Sequence, residues 1–323
     1  MGDGVAVLDE HGPAAEGRES PTMRLATVVT SAGPRLHVRG PNGYVDAAEA
    51  TGNPAYANVT AVLEAGPAAL DALRSIEDRD GTDYAGSDLG PAVPAPRRVL
   101  CLGVNYLDHA IEGGREAPTW PECFLRTPSS VAAPYGDLVK PALAPNFDYE
   151  GELGVVIGAG GRYIPASKAL DAIAGYTVVN DASAREWQRA TTQWTPGKNF
   201  DGSMPIGPEI VTADEVDVSD VLLETRLNGE VMQSSRTSLM IVDVPKAIEF
   251  FSSFTELRPG DVIATGTPGG VGFARTPPVW LQAGDVIEVS VENVGTIRNT
   301  VVAEDVDVSD WPWHPASKQG AGF

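Results

Sequence analysis

One strand-like segment, the run from Asp148 to Ile157, limits the possible folds and functions of this chain more than any other segment. Side chains two residues apart on a strand point to the same face, so Glu150 and Glu152 would present two carboxylates side by side. Such a pair repels unless a cation, a shared proton or water compensates it, and the apolar run Val155–Ile157 argues against water. A solvent-facing edge of a half-buried strand is the alternative interpretation.

A third carboxylate, that of Asp181, follows a second predicted strand, Tyr176–Asn180, where the chain turns. Functional carboxylates often gather from several strand ends, so Asp181 is a candidate partner for Glu150 and Glu152. Three carboxylates without Cys or His form an all-oxygen set of ligands. Such a set suits Mg²⁺, Mn²⁺ or Ca²⁺ better than zinc.

The hydrophobic patterns predict more strands than helices, without regular alternation between them. This order favours an α+β fold over a doubly wound nucleotide-binding sheet. The predicted strands are Leu25–Thr30, Arg35–Arg39, Arg98–Gly103, Phe147–Gly158, Tyr176–Asn180 and Val262–Thr265, with a hairpin of Asp285–Glu292 and Thr296–Val302. The predicted helices are Val59–Ile76, broken at Gly66-Pro67, then Asn105–Gly113, Ala166–Ala174 and Asp243–Phe254.

Composition along the chain predicts its domain organisation. A polar, Gly-rich start without periodicity is typical of a disordered leader, and the charged and proline-rich stretch from Glu77 to Arg97 is typical of a linker. The predicted divisions are a leader over 1–22, a small N-terminal α/β domain over 23–90, a linker over 91–97, the main domain over 98–303 and a C-terminal tail over 304–323.

The charge balance excludes some partners. The chain has 23 Lys and Arg against 44 Asp and Glu, a net charge of −21 at pH 7, which would repel nucleic acid. We find neither a signal peptide nor an apolar run of about 20 residues, so no membrane partner is expected. With only two cysteines, an intracellular reducing compartment is the simpler interpretation, and we predict a cytoplasmic protein.

Three further segments carry residues suited to chemistry. On a helix, His109 and Glu112 lie three residues apart on one face, where the carboxylate can orient the imidazole and raise its basicity, although a surface ion pair would look the same. Lys198 stands in a loop rich in Gly and Pro, where its ammonium could bind a carboxylate or an enolate, or simply be solvated. The Gly-rich loop Thr265–Gly272 could bring backbone N–H groups to an anion, or be a mobile turn.

Taken together and in this order, these segments resemble the fumarylacetoacetate hydrolase family. The resemblance runs from about Val99 to Val302, roughly two thirds of the chain. The segments that carry it are Asn105-Tyr106 with His109 and Glu112, Asp148–Leu153, Asn180–Arg185 with Gln188, Gln193–Asp201, Leu257–Gly272, and Gly295 with Asn299.

The resemblance implies a mixed β-roll or sandwich fold, a homodimer, and Mg²⁺ or Mn²⁺ at the catalytic centre, with Ca²⁺ as a further candidate. It also implies a hydrolase that cleaves the C–C bond of a β-diketo acid, of the acylpyruvate or fumarylpyruvate type. Isomerisation or decarboxylation of an unsaturated 2-oxo acid at the same site is the alternative, and a non-catalytic metal-binding homologue is the rival from another class.

The resemblance also assigns site residues. It places the metal ligands at Glu150, Glu152 and Asp181, and catalytic groups at His109, Glu112 and Lys198. It places substrate contacts at Gln188, Gly266, Thr267 and Arg126. Arg126 stands where family members commonly have Lys, so a planar guanidinium replaces a point charge there.

Overall fold

The structure is a computed structural model that describes residues 23–312. The predicted leader, residues 1–22, and the last part of the predicted tail, residues 313–323, lie outside the described residues. The strands, in chain order, are β1 (Arg24–Thr30), β2 (Gly33–Gly40), β3 (Gly43–Asp46), β4 (Val99–Gly103), β5 (Glu122–Arg126), β6 (Val131–Ala132), β7 (Asp137–Lys140), β8 (Phe147–Asp148), β9 (Gly151–Ile157), β10 (Ile173–Asn180), β11 (Ser183–Ala184), β12 (Met204–Thr212), β13 (Leu222–Leu227), β14 (Glu230–Arg236), β15 (Val262–Ala264), β16 (Val286–Val291) and β17 (Gly295–Ala303).

Helices are few and short. They are α1 (Ala47–Thr51), α2 (Val59–Ala65), α3 (Pro67–Arg74), α4 (Leu107–Glu112), α5 (Arg185–Gln188), α6 (Thr195–Lys198) and α7 (Val244–Phe254). Single 3-10 turns cover Pro54–Ala57, Gly86–Asp88, Pro128–Ser130, Thr237–Leu239 and Gly272–Ala274, and a longer 3-10 segment covers Ala166–Ala172. No helix among residues 23–312 is both long and apolar enough to cross a bilayer.

Three sheets organise the described residues. The largest has ten strands in the order β3-β2-β1-β12-β10-β9-β15-β4-β5, with β6 added beside β12. The second has the order β14-β13-β16-β17-β7, and β8 pairs with β11 in the third. The two larger sheets pack against each other through one apolar core, in which Leu153 and Val155 meet Leu223, Val289 and Ile297. The mixed α+β fold predicted from the sequence is confirmed, and the sheets of residues 23–312 do not close into a barrel.

The N-terminal strands extend the large sheet. β1 pairs antiparallel with β12, with Leu25 opposite Ile210. Beside this junction the buried carboxylate of Glu209 accepts hydrogen bonds from the Arg39 guanidinium at 3.0 Å and the Tyr44 hydroxyl at 2.9 Å. A hydrogen-bonded sheet thus runs across the chain segments on both sides of residues 91–97, and the division into domains stays a prediction.

The ends of several predicted elements have identifiable physical causes. The Asp243 side chain caps α7 by accepting from the Lys246 N–H at 2.9 Å. Gly66, whose φ is +78°, separates α2 from α3, because a positive φ costs glycine no steric strain. The predicted helix Ala166–Ala174 is instead a 3-10 segment that ends at Ala172, because Ile173 begins β10.

The predicted long strand Phe147–Gly158 is interrupted, which matters for the site. β8 ends at Asp148 and β9 begins at Gly151. Between them, the Glu150 N–H donates to the Asn180 side-chain oxygen at 3.1 Å, and the Glu150 carbonyl accepts from the Asp181 N–H at 2.8 Å. Glu150 therefore leaves the regular strand just where it reaches the end of β10.

Candidate metal centre and active site

Three buried carboxylates form a cluster where β9 and β10 meet. Glu152 lies on β9, opposite Val179 of β10, and Asp181 directly follows β10. One oxygen from each of Glu150, Glu152 and Asp181 lies within 4.8 Å of the others. The structure thus brings together the three residues that the sequence selected, although Glu150 reaches the cluster from the interruption and not from a shared strand face.

Glu150 is held ionised by two buried cations. Its carboxylate contacts the Arg185 guanidinium at 2.5 Å and the Lys198 ammonium at 2.6 Å. Burial opposes ionisation, but the charges of Arg185 and Lys198 outweigh it and lower the pKa of Glu150 to about 2. Lys198 also contacts the Asp181 carboxylate at 2.5 Å. Burial would lower the pKa of Lys198, yet Asp181 and Glu150 outweigh it and raise that pKa, so the lysine is charged.

Glu152 is in the opposite situation. Its carboxylate accepts a hydrogen bond from the Gly266 N–H at 2.8 Å, and no Lys or Arg among residues 23–312 lies within ion-pair distance of it. Burial, with the charges of Asp181 and Glu150, raises the pKa of Glu152 well above its usual range. This carboxylate therefore lacks a compensating cation.

A charge balance indicates what would fit. Four buried carboxylates contact one another or a shared cation: Asp148, Glu150, Glu152 and Asp181. Three buried cations are paired with them: Arg126, Arg185 and Lys198. With all four carboxylates ionised, as ligands of a metal would be, one negative charge is in excess, and the donors are all oxygens. These residues fit a divalent ion of the Mg²⁺ or Mn²⁺ type, which would offset that excess.

Arg126 lies behind this cluster. Its guanidinium is fully buried and bonds to the Asp181 carboxylate, to the Ser203 hydroxyl and, at 3.2 Å, to the Ala182 carbonyl. Beside the cluster lies a cavity, described below, and among residues 23–312 Arg126 is not part of its wall. In this arrangement Arg126 orients Asp181, and the substrate contact expected from the sequence stays a prediction.

The His109–Glu112 pair forms on α4. The His109 Nδ1 lies 2.7 Å from a Glu112 oxygen, and the second Glu112 oxygen accepts from the Gly270 N–H at 2.7 Å. His109 is 8% exposed, so the pair is not a solvated surface ion pair. With Nδ1 donating to the carboxylate, the other ring nitrogen, Nε2, is left as the acceptor.

A cavity of about 320 Å³ joins the pair to the cluster. Its wall includes His109, Glu150, Glu152, Gln188, Lys198 and Thr267. The Gln188 oxygen accepts from the Arg185 guanidinium at 2.9 Å, and the Thr267 hydroxyl donates to the Gly151 carbonyl at 2.9 Å.

Gly266 is not part of the cavity wall among residues 23–312. Its φ of +95° and its close approach to Asn105, where a Cβ would come within 2.6 Å of the Asn105 Cβ, explain why glycine stands there.

Three residues that shape this site, Asp148, Arg185 and Phe273, have no role predicted from the sequence. Asp148 is fully buried and holds the Arg185 guanidinium at 2.8 Å. Phe273 contacts the same guanidinium, whose central carbon lies 4.6 Å from the ring centroid. Arg185 is 37 positions from Asp148, and no local spacing signals such a contact.

Known proteins are similar to this chain in sequence and in fold. A family model described as the fumarylacetoacetate hydrolase C-terminal region matches residues 98–302. A mitochondrial oxaloacetate tautomerase of Bos taurus is 44% identical over 213 residues, which are 65% of this chain and 68% of that protein. The solved fumarylacetoacetate hydrolase of Exiguobacterium antarcticum is 36% identical, with a TM-score of 0.75, and the match covers 88% of this chain and all of that one. A maleylpyruvate hydrolase from a Sphingobium species is 29% identical, with a TM-score of 0.73 over 87% of this chain and all of that one.

Proposed function

Because this chain belongs to the fumarylacetoacetate hydrolase family, we propose that it is a divalent-metal-dependent hydrolase of a β-diketo acid. The reaction is cleavage of the C–C bond next to the distal carbonyl of an acylpyruvate or fumarylpyruvate type of substrate, with a pyruvate-like enolate as the leaving group. A bound Mg²⁺ or Mn²⁺ would supply Lewis-acid stabilisation of negative charge on the 2-oxo acid.

One observation carries the hydrolytic assignment: His109 is buried in the cavity wall and its Nδ1 is paired with the half-buried Glu112 carboxylate. Glu112 fixes the imidazole with Nδ1 as its donor, so Nε2 can take a proton from a water that attacks the distal carbonyl. The same nitrogen can then return the proton to the departing carbon. Glu112 is itself held by the Gly270 N–H, which fixes the orientation of the pair.

Lys198 serves the other end of the reaction. Its ammonium lines the cavity while Glu150 and Asp181 hold it in place. A fixed positive charge at this position favours the enolate over the uncharged 2-oxo acid, and charge that needs no reorganisation during the reaction is the most effective kind. Gln188 and Thr267 supply polar groups in the cavity wall for the substrate oxygens.

Tautomerisation of oxaloacetate is the second candidate, favoured by the 44% identity with the bovine tautomerase. It needs proton transfer at the carbon beside the 2-oxo group and no attacking water, so His109 and Lys198 would serve it too. Isomerisation of an unsaturated 2-oxo acid would use both residues as well, whereas decarboxylation forms the same enolate and needs Lys198 but not His109. The reactions differ in whether water reaches His109.

Product analysis separates these reactions. The protein with Mg²⁺ or Mn²⁺ is offered acetylpyruvate, fumarylpyruvate and oxaloacetate, and products are followed by NMR. We expect pyruvate and a carboxylic acid from at least one diketo acid. Acceleration of keto–enol exchange in oxaloacetate without cleavage of any diketo acid would replace the hydrolase with the tautomerase. No reaction with any of them would leave the non-catalytic homologue.

Glu152→Gln is expected to lower affinity for Mg²⁺ or Mn²⁺ by at least about 10-fold, because it removes the carboxylate that lacks a cationic partner. The fold should persist, since the Gly266 N–H can still donate to the amide oxygen. Isothermal calorimetry measures the affinity. The exposed Glu230→Gln is the matched control, and equal metal affinity in the two variants would refute the ligand assignment.

We further propose that the chain is a cytoplasmic homodimer that takes a small 2-oxo acid and does not bind nucleic acid or membrane. At −21 per chain, a dimer interface must be mainly apolar or keep the acidic residues away from it. Light scattering at micromolar concentration is expected to give about twice the chain mass of 33.9 kDa. A single-chain mass would contradict the dimer.

A further inference from the structure

The cations around the cavity are not equivalent. Lys198 and Arg185 each contact two carboxylates, and Arg115 pairs with Glu122. Arg189 also lines the cavity, but no carboxylate of residues 23–312 lies within ion-pair distance of its guanidinium. In a chain with 44 acidic residues, an arginine beside the cavity that makes no ion pair is available to an anionic ligand.

Arg189 is fixed in position by its neighbours. It directly follows α5, and its backbone N–H donates to the Arg185 carbonyl at 3.0 Å. Its guanidinium carbon lies 4.1 Å from the centroid of the Phe273 ring, which also contacts Arg185 and packs edge-on against His109 at 6.2 Å. Stacking on an aromatic face orients a guanidinium and leaves its N–H edge free.

The cavity has two cationic ends at different depths. Lys198 is 1% exposed and marks the floor, beside the carboxylate cluster. Arg189 is exposed and marks the mouth. The wall also includes the aromatic rings of Phe124 and Trp194, which pack edge-to-face at 5.7 Å, and the Lys198 ammonium lies 4.9 Å from the centroid of the Phe124 ring. Two cations and flat aromatic surfaces in one cavity suit an anion with charge at both ends and an unsaturated middle.

We propose that Arg189 is a specificity-determining residue that binds a second carboxylate, at the end of the substrate remote from the 2-oxo acid group. This inference rests on the proposed function, because it takes the 2-oxo acid end to lie at Lys198 and the carboxylate cluster. It selects dicarboxylic substrates over acylpyruvates with an uncharged acyl chain. A guanidinium matches a carboxylate with two parallel hydrogen bonds, and the net charge of the protein would otherwise repel a dianion.

The test uses binding of unreactive probes, so that it does not depend on which reaction the enzyme performs. Calorimetry in the presence of Mg²⁺ compares 2-oxoglutarate, 2-oxoadipate and 2-oxopimelate with the monocarboxylic 2-oxo acids of the same chain lengths. We expect at least one dicarboxylate to bind about 10-fold tighter than its matched monocarboxylate. Arg189→Met should abolish that preference without weakening the monocarboxylates, whereas Arg97→Met, at an exposed arginine paired with Glu64, should keep it.

The outcomes separate the inference from its premise. Equal affinity for the matched acids in the unaltered protein, or an equal loss for both in Arg189→Met, would overturn the role of Arg189 and leave the proposed function standing. Failure of both series to bind would overturn the inference, while the product analysis decides the proposed function separately. Retention of the preference in Arg189→Met would mean that another cation of the cavity binds the second carboxylate, and it would overturn the role of Arg189.

Discussion

Replacing His109 with alanine is expected to lower the rate of diketo acid cleavage by about 10²- to 10⁴-fold, the usual cost of removing a general base. The loss should fall on kcat, because a general base acts in the chemical step. Metal affinity should be unchanged, because His109 lies in the cavity wall but makes no ion pair with the carboxylate cluster. Steady-state kinetics with the diketo acid that the product analysis selects measures the effect.

The decarboxylation of oxaloacetate provides the internal control for this variant. That reaction needs enolate stabilisation and no attacking water, so His109→Ala should spare it. Glu112→Gln should give a smaller loss of cleavage, because the histidine remains but its hydrogen-bonded carboxylate is gone. An equal fall in both activities of His109→Ala would mean that the pair positions the substrate, and the hydrolase would lose its main support.

Lys198→Met is expected to depress cleavage and decarboxylation together, each by about 10²- to 10³-fold, since both reactions form the same enolate charge. The methionine keeps the length of the side chain but removes the ammonium that Glu150 and Asp181 hold. Because this also removes a buried cation, thermal unfolding and metal affinity are measured alongside the rates.

Lys168→Met, at an exposed lysine, is the matched control and should leave both rates unchanged. A variant that is folded and binds metal but loses only one of the two activities would contradict a shared enolate. A folded Lys198→Met protein with full activity would remove the lysine from the reaction altogether.

Much of the fold could be predicted from local pattern, where that pattern agrees with the final packing. The apolar run at Val99–Gly103 forms a fully buried strand, and Val244–Phe254 forms a helix with Asp243 as its cap. The long buried strand Met204–Thr212 was not predicted, because Pro205, Gly207 and Pro208 interrupt its apolar residues and prolines usually argue against a central strand.

The site could be predicted only in part for a related reason. Glu150, Glu152 and Asp181 stand in short motifs, so the resemblance could select them, and the structure brings the three carboxylates together. The partners that set their charge are distant in sequence. Arg126 meets Asp181 across 55 positions, and Lys198 meets Glu150 across 48. Such pairings follow from the packing of whole sheets and leave no local signal.

These residues are expected to form a metal-dependent enzyme of 2-oxo acids. Turnover of diketo acids and oxaloacetate is measured in protein stripped with a chelator, before and after addition of Mg²⁺ or Mn²⁺. Turnover should be lost on stripping, should return with either ion, and should not return in Glu152→Gln at the same ion concentration. Full turnover in the stripped protein, or none after the ions are restored, would contradict this expectation.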